Sequence, residues 1–192
     1  METMTEEKIG LKNETLETIY SRRAVRTYSD KPVSKELIEE LLDAGRMAPS
    51  AINKQPWRFY VLTKKETVKQ FSDEIGKVAA KHFHLAFASG LLKITDAVFH
   101  GAPAVIFITA PKDNEWASLD VGMCSQNIML AAKSLGLETC PVGMGKFVED
   151  APSFGKLNIP HTENVLLTII VGYGKEKTSV HPRNKKNVFY ID

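Results

Sequence analysis

Two continuous apolar runs, Pro103 to Ala110 and Val165 to Val171, constrain this chain most. A strand with one wet face alternates apolar and polar residues. Runs without alternation are buried on both faces, so a sheet is expected between two helical layers. Neither run is long enough to cross a bilayer, and Met1 to Leu11 is charged rather than signal-like. The expectation is a cytoplasmic protein that does not engage a membrane.

The chain has 192 residues, 43% of them apolar, which suits one domain over residues 1–192 with its own core. Lysine and arginine number 25 against 23 acidic residues, a net charge of +2, too balanced for a nucleic-acid surface. Any electrostatic function must then be local. Cys124 and Cys140 cannot build a disulfide framework and have no further ligands at zinc spacing. His82, His84, His100, His161 and His181 are scattered, so no metal is expected.

Taken in order, residues 1–12 read as loose, and Asn13 caps a short helix to about Ser21. Ser34 opens a second helix, with Leu37, Ile38, Leu41, Leu42 and Ala44 on one face, ending near Pro49. Trp57 to Leu62 reads as a strand, with Trp57 in the core. Lys65 to Leu92 reads as mostly helical, interrupted at Gly76 and Gly90. A long helix is expected from Asn114 to Leu135, with Trp116, Leu119, Met123, Asn127, Leu130 and Ser134 recurring at three or four. Its other positions are small or polar, so two surfaces can clasp it, at a domain centre or a subunit interface. Gly136 ends that helix. A short strand from Leu137 to Pro141, a glycine-rich turn and a helix from Val148 to Leu157 follow. After Gly174 the chain is basic and loop-like. Its apolar end, Val188 to Ile191, needs a sheet edge to dock on, its own or a partner's.

Three constellations carry chemistry. Arg22, Arg23 and Arg26 place three fixed charges within five residues, which suits a phosphate bound bidentately; the alternative is a solvated helix end. In Pro49-Ser50-Ala51-Ile52-Asn53-Lys54-Gln55-Pro56-Trp57 the prolines set irregular backbone, while Ser50, Asn53 and Gln55 offer donors and acceptors. Such a loop can edge a planar heterocycle, or it can be a corner that satisfies its own backbone. Cys140-Pro141-Val142-Gly143-Met144-Gly145 lies between a strand and a helix with free amides, but lacks the full dinucleotide fingerprint.

In that order, the motifs resemble the FMN-dependent nitroreductases. The resemblance runs from about Glu14 to the C-terminus: Ser-Arg-Arg-x-x-Arg at 21–26, Ala-Pro-Ser-Ala-x-Asn-x-Gln-Pro-Trp at 48–57, Gly-Ala-Pro-Ala at 101–104, Gly-Leu-x-x-Cys-Pro-Val-Gly at 136–143 and Gly-Tyr-Gly with a late Arg183. It implies an α+β, three-layer sandwich with a central mixed sheet flanked by helices, forming an intertwined homodimer that exchanges its tails, here residues 174–192.

It also implies FMN as cofactor, NADH or NADPH as hydride donor, and a small aromatic or quinone-like acceptor reduced in a ping-pong cycle. Arg22, Arg23 and Arg183 would hold the FMN phosphate, with Arg26 nearer the ribityl chain and pyrimidine edge. Pro49, Ser50, Ala51 and Asn53 would approach the flavin from the partner subunit. Pro141, Val142, Gly143 and Met144 would lie along the ring near N5, and Ala24 and Gln55 belong to the same cofactor site. No side chain need be an acid or base, because the flavin carries the chemistry. Ala24 stands where the family often has a hydroxyl, and His181 where a second cation is common. Specialised flavin chemistry (dehalogenation, flavin fragmentation or dehydrogenation) and a non-catalytic flavin-binding module are the alternatives.

Overall fold

The structure, a computed structural model, describes residues 13–82, 96–176, 178–184 and 186–191. Its first two helices begin where the caps stand. Asn13 accepts the Leu16 amide at 3.0 Å to open α1 (Glu14–Ser21), and Ser34 accepts the Leu37 amide at 3.3 Å to open α2 (Lys35–Arg46). Then come β1 (Arg58–Leu62), α3 (Lys65–His82), β2 (Ala104–Pro111), α4 (Ala117–Ser134), β3 (Glu138–Val142) and β4 (Glu163–Gly172).

The four strands form one sheet in the order β1-β2-β4-β3. The two apolar runs are its central pair, which explains why they lack alternation. In β2, Ile106 and Ile108 face a core shared with Leu41, Trp57, Cys124 and Ile128 on one side. Val105 and Phe107 face Phe71, Ile75, Phe99 and Val148 on the other. These are the three expected layers: α2 and α4, the sheet, and α3 with the segments after β3. Among the described residues each of the three strand pairs is antiparallel rather than mixed as expected, and parallel pairing is confined to an isolated bridge between Ala24 and Thr139.

Two local expectations need correction. Gly76 does not interrupt α3, which runs unbroken from Lys65 to His82. A helical glycine costs about 1 kcal/mol relative to alanine, and the buried face of Phe71, Ile75 and Ala79 outweighs that. Gly90 and the rest of 83–92 lie outside the described residues, as does the segment 1–12, expected to be loose. In place of a helix from Val148 to Leu157 there are two 3-10 segments, Gly143–Asp150 and Phe154–Leu157. Pro152 separates them by forcing Ala151 out of helical geometry, to ψ 141°.

Much apolar surface remains uncovered. The buried side of α4 is Ala117, Val121, Cys124, Ile128 and Ala132, whereas Trp116 and Leu119 on the other stripe are 54% and 56% exposed. No residue of α1 is buried, and Phe189, Tyr190 and Ile191 stand in solvent. Among the described residues no helix is long and apolar enough to cross a membrane.

Candidate functional site

Three of the motifs converge at one edge of the sheet. Leaving α1, the chain runs beside β3, and the Val25 amide donates to the Thr139 carbonyl at 3.1 Å. Beyond β4 the chain returns to the same segment: the Ser29 amide donates to the Tyr173 carbonyl at 2.8 Å, and the Lys175 amide to that of Thr27 at 2.9 Å. Val25 and Tyr28 anchor this ladder from the core. Arg26 is left exposed, and Arg22, Arg23 and Ala24 half-buried.

The arginines are not equivalent. Arg23 Nη1 donates to the carbonyls of Tyr20 at 2.6 Å and Arg22 at 2.7 Å, so it caps the end of α1; its buried Nε has no partner among the described residues. No ion pair among the described residues involves Arg22 or Arg26. Glu176 lies close, but its carboxylate accepts the Arg26 amide at 3.1 Å, leaving the guanidinium unanswered. Burial pushes the Cys140 thiol up, and Arg26 and Arg22 pull against it; burial lowers His100, and Arg26 lowers it further. Two guanidinium groups that both act on Cys140 and form no ion pair among the described residues suit an anionic ligand such as a phosphate.

The end of β3 supplies the adjoining wall. Pro141 and Gly143 are exposed, Met144 is half-buried and Val142 is buried. Gly145 explains why this turn lies flat: a Cβ there would stand 2.0 Å from Thr168 Oγ1, so only glycine permits the approach to β4. Burial holds the Cys140 thiol above its ordinary range, so it is not poised as a thiolate nucleophile; Cys124, in the opposite core, is pushed up to about 12. Among the described residues no group of His, Cys, Asp or Glu could hold a metal.

The loop from Pro49 to Gln55 lies elsewhere. Ser50 Oγ accepts the Gln55 amide at 2.9 Å, and Gln55 Nε2 donates to Asn53 Oδ1 at 3.2 Å, so the loop satisfies part of its own polarity. Ile52, Asn53 and Gln55 have φ of 47°, 57° and 46°, and all three are exposed. The loop sits at the start of α4, where Asp120 Oδ1 accepts the Ala51 amide at 3.0 Å. The helix that delivers the arginines lies against Leu130 to Ser134, near the other end of α4. Asp120 and Lys133 are about 20 Å apart at the helical rise. Arg183 is exposed, with no ion pair or side-chain hydrogen bond among the described residues.

Sequence reasoning singled out neither Asp120 nor Gly145 on its own account. The signal for Asp120 was a carboxylate on the core stripe of α4, three residues after Ala117 and four before Cys124.

The fold and this edge define an α+β sandwich with cationic side chains, exposed or half-buried, beside the end of β3. The chain belongs to the Nitroreductase family, whose model matches residues 19–173. It is similar to a 4-nitrobenzoate reductase of Pseudomonas putida, 30% identical over 199 residues, covering 85% of this chain and 86% of the relative. A nitroreductase of Desulfitobacterium hafniense solved with bound FMN superposes with a TM-score of 0.81 at 27% identity, covering 95% of this chain and 100% of that one. One from Bacteroides fragilis, also with bound FMN, gives 0.84 at 24% identity over 94% and 100%, a likeness of fold alone.

Proposed function

We propose that this chain is an FMN-dependent oxidoreductase that takes hydride from NADH or NADPH and passes it, in a ping-pong cycle, to a nitroaromatic, quinone or related conjugated acceptor in the cytoplasm. The observation that carries the reading is the pair of cations Arg22 and Arg26, unpaired and beside the exposed turn after β3. FMN would supply the two-electron carrier, so the residues need only bind, orient and leave one face open. Arg22 would hold the phosphate, aided by Arg183 from the tail. Arg23, with Nη1 engaged at the end of α1 and Nε buried, would add its charge rather than a direct bond. Arg26 would sit near the pyrimidine edge, where a cation stabilises a reduced, anionic ring. Pro141 to Met144 would flank that ring.

The same reading makes the protein a homodimer. Among the described residues the outer stripe of α4, the outer side of α1 and the apolar tail lack cover, and β1 leaves one sheet edge unpaired. The loop at Pro49 to Asn53, with Gln55, would then face the partner's flavin, because its own arginines enter at the far end of α4. Residues 174–192 would be exchanged. The test is the absorbance of the purified protein, followed by turnover with either nicotinamide and 4-nitrobenzoate. A colourless protein that neither retains nor rebinds FMN sinks the proposal.

A further inference from the structure

Asp120 is an acidic residue where a core residue belongs. It occupies the first turn of α4, is 1% exposed, and shares its stripe with Ala117, Val121 and Cys124. Its Oδ1 accepts the Ala51 amide at 3.0 Å, and its buried Oδ2 has no partner among the described residues. Burying a carboxyl group with so few partners is unfavourable, and an apolar residue would pack the site at no such cost. A carboxylate in the first turn gains about 1 kcal/mol from the helix dipole, but an exposed position of that turn offers the same gain, so the stability of α4 does not account for its place on the core stripe.

The other end of the bond does. Ala51 precedes Ile52 and Asn53, whose φ values of 47° and 57° are left-handed. For a β-branched residue that conformation is an outlier, and such backbone persists only when its surroundings impose it. The bonds from Asn53 and Lys54 back to Ser50 and Ala51 close the turn locally, at 2.9 and 3.1 Å, but they do not fix it to the body of the protein. Asp120 reaches the turn from another element, at the residue just before the strained pair.

We propose that Asp120 is a positioning residue: through the Ala51 amide it clamps the Pro49–Gln55 loop in its left-handed form and so sets where that loop meets the flavin. The second half rests on the function proposed above; the clamp itself does not.

The test compares Asp120→Ala, which removes the acceptor, with Asp120→Asn, which keeps one in the same place. Amide hydrogen exchange is read over a peptide covering 48–57, and FMN affinity by fluorescence titration of the full-length protein. Losing a hydrogen bond to a charged group should speed exchange at Ala51 to Gln55 and weaken FMN binding by about tenfold each in Asp120→Ala. Asp120→Asn should restore most of both. If Asp120→Ala does not fold, Asp120→Leu fills the space without an acceptor and takes its place. Unchanged exchange in a folded variant overturns the clamp. Faster exchange with unchanged FMN affinity upholds the clamp and overturns the flavin role of the loop.

Discussion

The segment 22–26 and the loop 49–55 are both irregular, both polar and only about two dozen residues apart, yet they are held in opposite ways. The first is laced by backbone hydrogen bonds to the end of β3 and to the chain beyond β4, with Val25 and Tyr28 in the core, while its guanidinium groups on Arg22 and Arg26 stay unpaired. The second is bonded mainly to itself, keeps three residues in left-handed backbone and presents Ile52 to solvent at 88% exposure. On the proposed reading, a rigid backbone with free charges is ready for a ligand within its own subunit, and a strained loop with an apolar tip is shaped for a surface of the partner.

Substitutions can break or sharpen that contrast. The largest effect should come from Gly145→Val, which drives a Cβ onto Thr168 Oγ1 beneath the rigid side. Overpacking of this kind costs about 3 kcal/mol or more, to be read as a fall in the midpoint of urea unfolding. Arg22→Ala should leave that midpoint unchanged and weaken FMN retention by about 2 kcal/mol, the value of a charge-assisted hydrogen bond, measured by equilibrium dialysis. Arg23→Ala should do the reverse in part, lowering stability by about 1 kcal/mol because two carbonyls at the end of α1 lose their donor. Equal effects of the two arginine substitutions on FMN would erase the distinction between them.

On the strained side, Ile52→Asn should stabilise the protein by about 1 kcal/mol, since asparagine tolerates left-handed backbone that isoleucine resists. A loss of stability would mean that the apolar tip is packed in the assembled protein. The smallest effect concerns pH. His100 sits half-buried near Arg26, with Asp96 and Glu176 acting in the opposite sense, and its pKa lies below the ordinary 6.5. The unfolded chain therefore binds the proton more readily, so its contribution is intact above pH 6.5 and is lost as pH falls below it. His100→Asn should flatten the acid limb of a stability-against-pH curve. An unaltered limb would clear His100 of that role.

Local signals were the legible part of the fold. Asn13 and Ser34 cap the helices they announce, and the two apolar runs are the central strands. What was not legible depends on distant packing. Gly76 reads as a breaker until Phe71 and Ile75 are seen holding its helix, and the direction in which strands pair leaves no trace in a run of apolar residues. In α4 the division into two faces was visible, but not that Ala117, Val121 and Cys124 rather than Trp116 and Leu119 would face the chain's own core. In the site, the arginines were visible as a group, whereas the diversion of Arg23 to Tyr20 depends on how α1 ends.

The length of α4 has a genetic corollary. On the proposed reading, each flavin takes its phosphate grip from one polypeptide and its outer wall from the other. Mix a subunit carrying Arg22→Ala with one whose Pro49–Gln55 loop is disabled, and each hybrid dimer contains one site with both defects and one with neither. At FMN concentrations too low to fill the sites of either parent, the two should then complement each other, and the recovered activity should not exceed half of the sites in the hybrid.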